Sequence, residues 1–131
     1  MSNNINVSLD TSVTPNVLDV HDHGHIHIDK KTKPQTITWN LNGVLTGGEF
    51  VPMSDPEPGF QWVTDPPPSS EIFGEPARGS NGNSMSITDT HSNGDSDGRW
   101  VYRLCVLYNH KVYCTETSIA ATVKDPIIIN H

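Results

Sequence analysis

The chain reads as an all-β protein, a two-sheet antiparallel sandwich of about 7 to 9 short strands. Two patterns carry that reading. Apolar and polar residues alternate over short runs, as at Ile5, Val7 and Leu9 and again at Ile37, Trp39 and Leu41. Ten glycines and ten prolines cut the chain into short pieces with many turns, and no segment requires a helix. A length of 131 residues suits one domain over 1–131, large enough for a core without metal or disulfide staples.

The elements follow in chain order. Ile5 to Leu9 reads as a strand that Thr14-Pro15-Asn16 interrupts, and Val17, Leu18 and Val20 begin a second apolar segment. Gly24 breaks the next run before His25-Ile26-His27-Ile28 alternates again. After the charged turn DKKTKP, the segment TITWNL sets Ile37, Trp39 and Leu41 on one face of a half-buried strand. Phe60 and Trp62 mark a short strand. Residues 64–83 hold Asp65-Pro66-Pro67-Pro68 and Glu75-Pro76 and read as a long Pro/Gly-rich loop, because proline cannot donate to a ladder.

Met85 and Ile87 suggest another short strand. The strongest element runs from Arg99 to Tyr108 and is apolar on both faces, which fits a strand central to its sheet. Asn109-His110 makes a two-residue hairpin turn, Val112 to Thr115 returns, and Asp125-Pro126 introduces a last strand, Ile127 to Ile129.

The formal charge of -7 and the scattered basic residues argue against nucleic acid and anionic membrane as partners. No stretch approaches the length of a membrane span. The start MSNNINVSLD has neither a basic n-region nor an apolar h-region, so the expected location is cytoplasmic.

Trp39 follows an inward-pointing Ile26, Tyr102 lies two residues before an inward Leu104, and an Asp97-Gly98 turn precedes that strand. In this the chain resembles bacterial immunoglobulin-like β-sandwich domains, with a core residue on strand B, a tryptophan on strand C and a tyrosine corner entering strand F. The resemblance covers roughly residues 17–129 and departs from the antibody pattern at the two cysteine positions, which here are Ile26 and Leu104. It implies a fold and no particular activity. The dipeptides Asp55-Pro56, Glu57-Pro58 and Asp125-Pro126 also resemble a small bacterial family named for them, the DP-EP proteins, which implies no known activity.

Four of the seven histidines, His21, His23, His25 and His27, fall in DVHDHGHIHID. Alternate strand residues share a face, so His25 and His27 point outward together if Ile26 and Ile28 point inward. Neutral imidazoles so placed are ligands for Zn, Ni or Cu, with Asp22 or Asp29 nearby. A solvated polar face and a protonation switch are the competing readings.

A two-residue turn at Asn109-His110 sets Cys105 directly opposite Cys114 in a non-hydrogen-bonded pair, within reach of a cross-strand disulfide. It would close a short loop and add little stability. In a cytosolic protein the expected state is two small reduced thiols. Asn93, Asp95 and Asp97 match the first half of a calcium loop, but Leu104 stands where the closing carboxylate belongs, so a solvated turn is expected.

No nucleophile elbow, phosphate loop or dinucleotide fingerprint is present. The leading expectation is a non-catalytic module that presents a sheet face or the Pro-rich loop to a protein or a glycan. The alternative is a metal-binding protein, or a metal-dependent hydrolase, built on His21, His23, His25 and His27. Short edge strands also suit self-association into a homo-oligomer.

Overall fold

Eleven strands among the described residues form two sheets, in an all-β sandwich. A computed structural model describes residues 2–12, 17–115 and 126–131. Thr14-Pro15-Asn16, the linker after Thr115 and Asp125 lie outside them, as do the side chains of Ser2, Asn3, Asp22 and His23.

The first sheet contains β1 (Ser2–Asp10), β2 (Val17–Val20), β4 (Gln35–Leu41), β7 (Ala77–Arg78) and β8 (Ser84–Asp89), in the order β2-β1-β4-β8-β7. The second is built round β9 (Gly98–Tyr108), in the order β10 (Lys111–Cys114), β9, β11 (Ile127–Asn130), β3 (His25–Ile28). Two short strands, β5 (Glu49–Phe50) and β6 (Phe60–Trp62), also pair with β9. Cys105 donates to Gly59 O and accepts from Val51 N, whereas Tyr102 donates to Pro126 O and Leu104 accepts from Thr115 N. The odd-numbered backbone groups of β9 therefore face β5 and β6, and the even-numbered ones face β10 and β11. Both edges of β9 are thus hydrogen-bonded, and buried side chains on both of its faces, such as Tyr102, Leu104, Cys105 and Val106, account for its apolar sequence.

The sheets are mixed rather than wholly antiparallel. β1 runs parallel to β4 and β3 runs parallel to β11. The cause lies in the crossovers. β2 folds back on β1, β3 joins the other sheet, and the chain re-enters beside β1 running in β1's direction, as a parallel neighbour must.

Trp39, Phe60 and Tyr102 fill the space between the sheets, with ring centroids 5.1 to 5.5 Å apart. Trp39 and Tyr102 lie on opposite sheets, whereas the immunoglobulin-like pattern sets its strand-C tryptophan and its tyrosine strand in one sheet. The aromatic strand beside Tyr102 is β6, with Phe60 and Trp62. Tyr102 Oη donates to Gly24 O at 2.8 Å, far upstream in the chain instead of a few residues back. Gly24 has φ +75°, and a β-carbon there would lie 2.8 Å from Tyr102 Oη, so this position excludes larger residues.

The segment 64–83 is largely irregular, broken by β7. It is pinned by Phe73, which is buried between Trp62 and Trp100. Among the described residues no helix is long and apolar enough to cross a membrane.

Candidate functional site

The histidine run is divided by its glycine. His21 to Gly24 forms a 3-10 turn with His21 exposed, and β3 starts at His25. Ile26 and Ile28 point into the core, so His25 is half-buried and His27 exposed on the other face. The His27 ring meets His131 edge-on at 5.8 Å, and His131 Nε2 is 3.1 Å from Asp29 Oδ1. Among the described residues no three His, Cys, Asp or Glu side chains are grouped to hold a metal ion. The His23 side chain lies outside the described residues.

Asn109 and His110 both adopt positive φ, 52° and 66°, as a two-residue hairpin turn demands. The hairpin register sets Cys105 opposite Cys114, and the two are joined in a disulfide with Cα atoms 4.1 Å apart. Both backbone groups of Cys105 face the other edge of β9, so this is a non-hydrogen-bonded pair, the closer kind. The expectation of reduced thiols thus gives way to a covalent tie between β9 and the edge strand β10.

The acidic turn is a short 3-10 segment, Gly94–Ser96. Asn93 Oδ1 caps it by accepting from Asp95 N, and the Asp97 carboxylate accepts from Lys30 Nζ at 2.8 Å. The lysine holds the Asp97 carboxyl below its ordinary value. Two of the three residues of the calcium-like half-loop are thus committed to a cap and an ion pair.

Behind this turn lies a buried polar cluster that sequence reasoning missed. Asp89, His91, Ser96 and Asn130 are all buried. Asn130 Nδ2 donates to Asp89 Oδ1 and to Ser96 O, both at 3.0 Å. His91 Nε2 is 2.9 Å from His131 O, an acceptor, so that nitrogen carries a hydrogen. His91 Nδ1 is 2.7 Å from Ser96 Oγ, which is also 2.7 Å from Asn93 O. Ser96 Oγ donates to Asn93 O.

A serine hydroxyl beside a buried imidazole has the outline of a nucleophilic pair. Its surroundings do not suit acyl transfer. Ser96 N donates to Asn93 O and Asp97 N to Gly94 O, so these amides are not available to an oxyanion. The adjoining cavity of about 290 Å³ is lined by Glu71 and Asp95, which would repel developing negative charge. A signal for the cluster does exist in the sequence. Asn130 is a polar residue ending the apolar run Ile127 to Ile129.

A second feature is open to solvent. A groove of about 580 Å³ runs along β10, between it and the start of β2, the terminal strands of the two sheets. Its lining includes Val17, Glu57, Arg103, Lys111, Val112 and Tyr113. Val112 is 46% exposed, and Arg103 Nη1 lies 3.6 Å from Glu57. Among the described residues β10 has no strand partner on its outer edge.

No protein-family model matches this chain, and no curated protein matches it.

Proposed function

We propose that the chain is a non-catalytic interaction module that takes an extended segment of another protein along the outer edge of β10. The outer edge of β10, unpartnered among the described residues, beside a groove lined by Val17, Val112, Tyr113 and Lys111, carries this reading. Such an edge offers a row of backbone donors and acceptors for strand addition, while adjacent side chains choose the partner. Val17, Val112 and Tyr113 would receive an apolar residue. Lys111 is one of only eight Lys and Arg residues in a chain of formal charge -7 and would favour an acidic one, Arg103 being paired with Glu57.

Immobilised protein panned against a display library of extended peptides tests this directly. Apolar-acidic peptides should be enriched, and Val112→Asp or Lys111→Glu should weaken them at least tenfold. A library that yields no binder, or binders indifferent to both substitutions, would overturn the reading. Binding confined to a glycan array would replace the protein partner by a sugar, and a concentration-dependent dimer lost on Val112→Asp would replace it by a second copy of this chain.

An immunoglobulin-like reading of the sandwich is supported by the central place of β9, and the placement of Trp39 and Tyr102 on opposite sheets weighs against it. The disulfide weighs against a cytoplasmic location, because cytosolic thiols are kept reduced.

A further inference from the structure

The last strand, β11, is held at its end by polar side chains instead of apolar ones. Asn130 is 3% exposed and its amide group bonds both Asp89 and Ser96. His91 holds the next residue through His131 O. These contacts tie β11 to the end of β8 and to the Gly94–Ser96 turn, in addition to its pairing with β9 and β3.

One donor is missing from this set. Among the described residues Asp89 Oδ2 and Asn130 Oδ1, both buried, have no hydrogen-bond partner, and they belong to the two residues that already share one bond. Both are acceptors when Asp89 is ionised. A proton on Asp89 turns one of them into a donor, and a carboxylic acid can pair with a primary amide through two parallel hydrogen bonds.

We propose that Asp89 and Asn130 form a proton-operated clasp that closes β11 into the sandwich when Asp89 is protonated and loosens it when Asp89 ionises. The charged and titratable groups around the clasp are His91 beside Asp89, then Asp97 with its partner Lys30, and His131 with its partner Asp29. Burial pushes the Asp89 carboxyl up to about 6, against the Asn130 Nδ2 hydrogen bond and His91, which both favour the ionised carboxylate. The sign follows from that direction. The closed state holds the proton more tightly than an opened state with an ordinary carboxylate, so the clasp is strongest in mild acid. Its contribution declines as the pH rises from about 4 to about 6, and stays low above that.

Amide hydrogen exchange of Ile127 to Asn130, corrected for intrinsic rates, measures the clasp in the intact protein. Protection in the wild type should fall at least about tenfold between pH 4.5 and pH 7. Asp89→Asn supplies the missing donor in nearly the same shape, and its protection should be high and unchanged between those pH values. Equal wild-type protection at both pH values would overturn the proposal, as would an Asp89→Asn protein that keeps the wild-type pH dependence. A fall at Val106 and Tyr113, in the β9–β10 hairpin, with no fall at Ile127 to Asn130 would also overturn it, because the effect would then not belong to the clasp. If Asp89→Asn does not fold, the wild-type profile and its hairpin control still decide.

Discussion

Trp39 Nε1 donates to the hydroxyl of Tyr102 at 3.2 Å, across the core and between the two sheets. Tyr102 passes its own proton to Gly24 O, so a chain of two hydrogen bonds runs from β4 through β9 to the turn before β3. Both aromatic residues are fully buried, and burial pushes the Tyr102 hydroxyl above its ordinary value, which keeps it a donor. Tyr102→Phe would leave the Trp39 N–H and the Gly24 carbonyl without this partner. The expected loss is about 1–3 kcal/mol in denaturant unfolding. Trp39→Phe in the Tyr102→Phe background should then cost less than it does alone, because the shared bond is already gone.

Gly24→Ala tests the same junction from the backbone side. The new β-carbon would sit 2.8 Å from Tyr102 Oη and 2.9 Å from Pro126 Cβ, at positive φ. A loss of at least about 1 kcal/mol is expected, more than for an exposed glycine such as Gly94, which has open space around it. Equal effects at the two positions would contradict the close approach.

Global stability should carry the signature of Asp89. A carboxyl raised from 3.8 to about 6 favours folding in acid, so its contribution falls as the pH rises between those values. Asp89→Asn should therefore stabilise the protein at pH 7 by up to about 3 kcal/mol and have much less effect near pH 4. Urea unfolding at the two pH values measures the difference. A variant less stable than wild type at pH 7 would mean that the carboxylate is satisfied as it stands.

The disulfide joins residues nine apart in sequence, so it restrains the unfolded chain less than a long-range bridge would. Reduction should leave the fold intact and lower stability by less than about 3 kcal/mol. Thiol titration of air-purified protein should find no reactive cysteine before reductant, and two after reduction under denaturing conditions. Two titratable thiols in the untreated, unfolded protein would show that the bridge does not form.

His25 and His27 share a face of β3, but among the described residues no third His, Cys, Asp or Glu side chain is grouped with them. Tag-free protein dialysed against a weak chelator should therefore retain no stoichiometric zinc, nickel or copper. Metal that persists, and is lost in His25→Ala/His27→Ala protein, would restore the metal-binding alternative.

Local chemistry accounts for most of what could be read in advance. The β9–β10 hairpin was legible because Asn109-His110 is a turn in itself, and a turn of known length sets the register that opposes Cys105 and Cys114. The central place of β9 was legible from its two apolar faces. Parallel pairing of β1 with β4 was not, because it depends on how β2 and β3 cross between sheets. The buried cluster was hidden for a similar reason. Asp89 and His91 sit in a polar stretch that reads as surface, and Asn130, which buries them, arrives from 41 residues along the chain.

What the sequence by itself determined, then, is the all-β class, the alternation that divides core from surface, and the turns that join neighbouring strands. The tertiary structure alone decided which polar residues leave water, because desolvation depends on everything packed around a side chain. It also decided which strands end each sheet among the described residues, since hydrogen bonds between distant strands follow from the assembled sheets and leave no local mark in the chain.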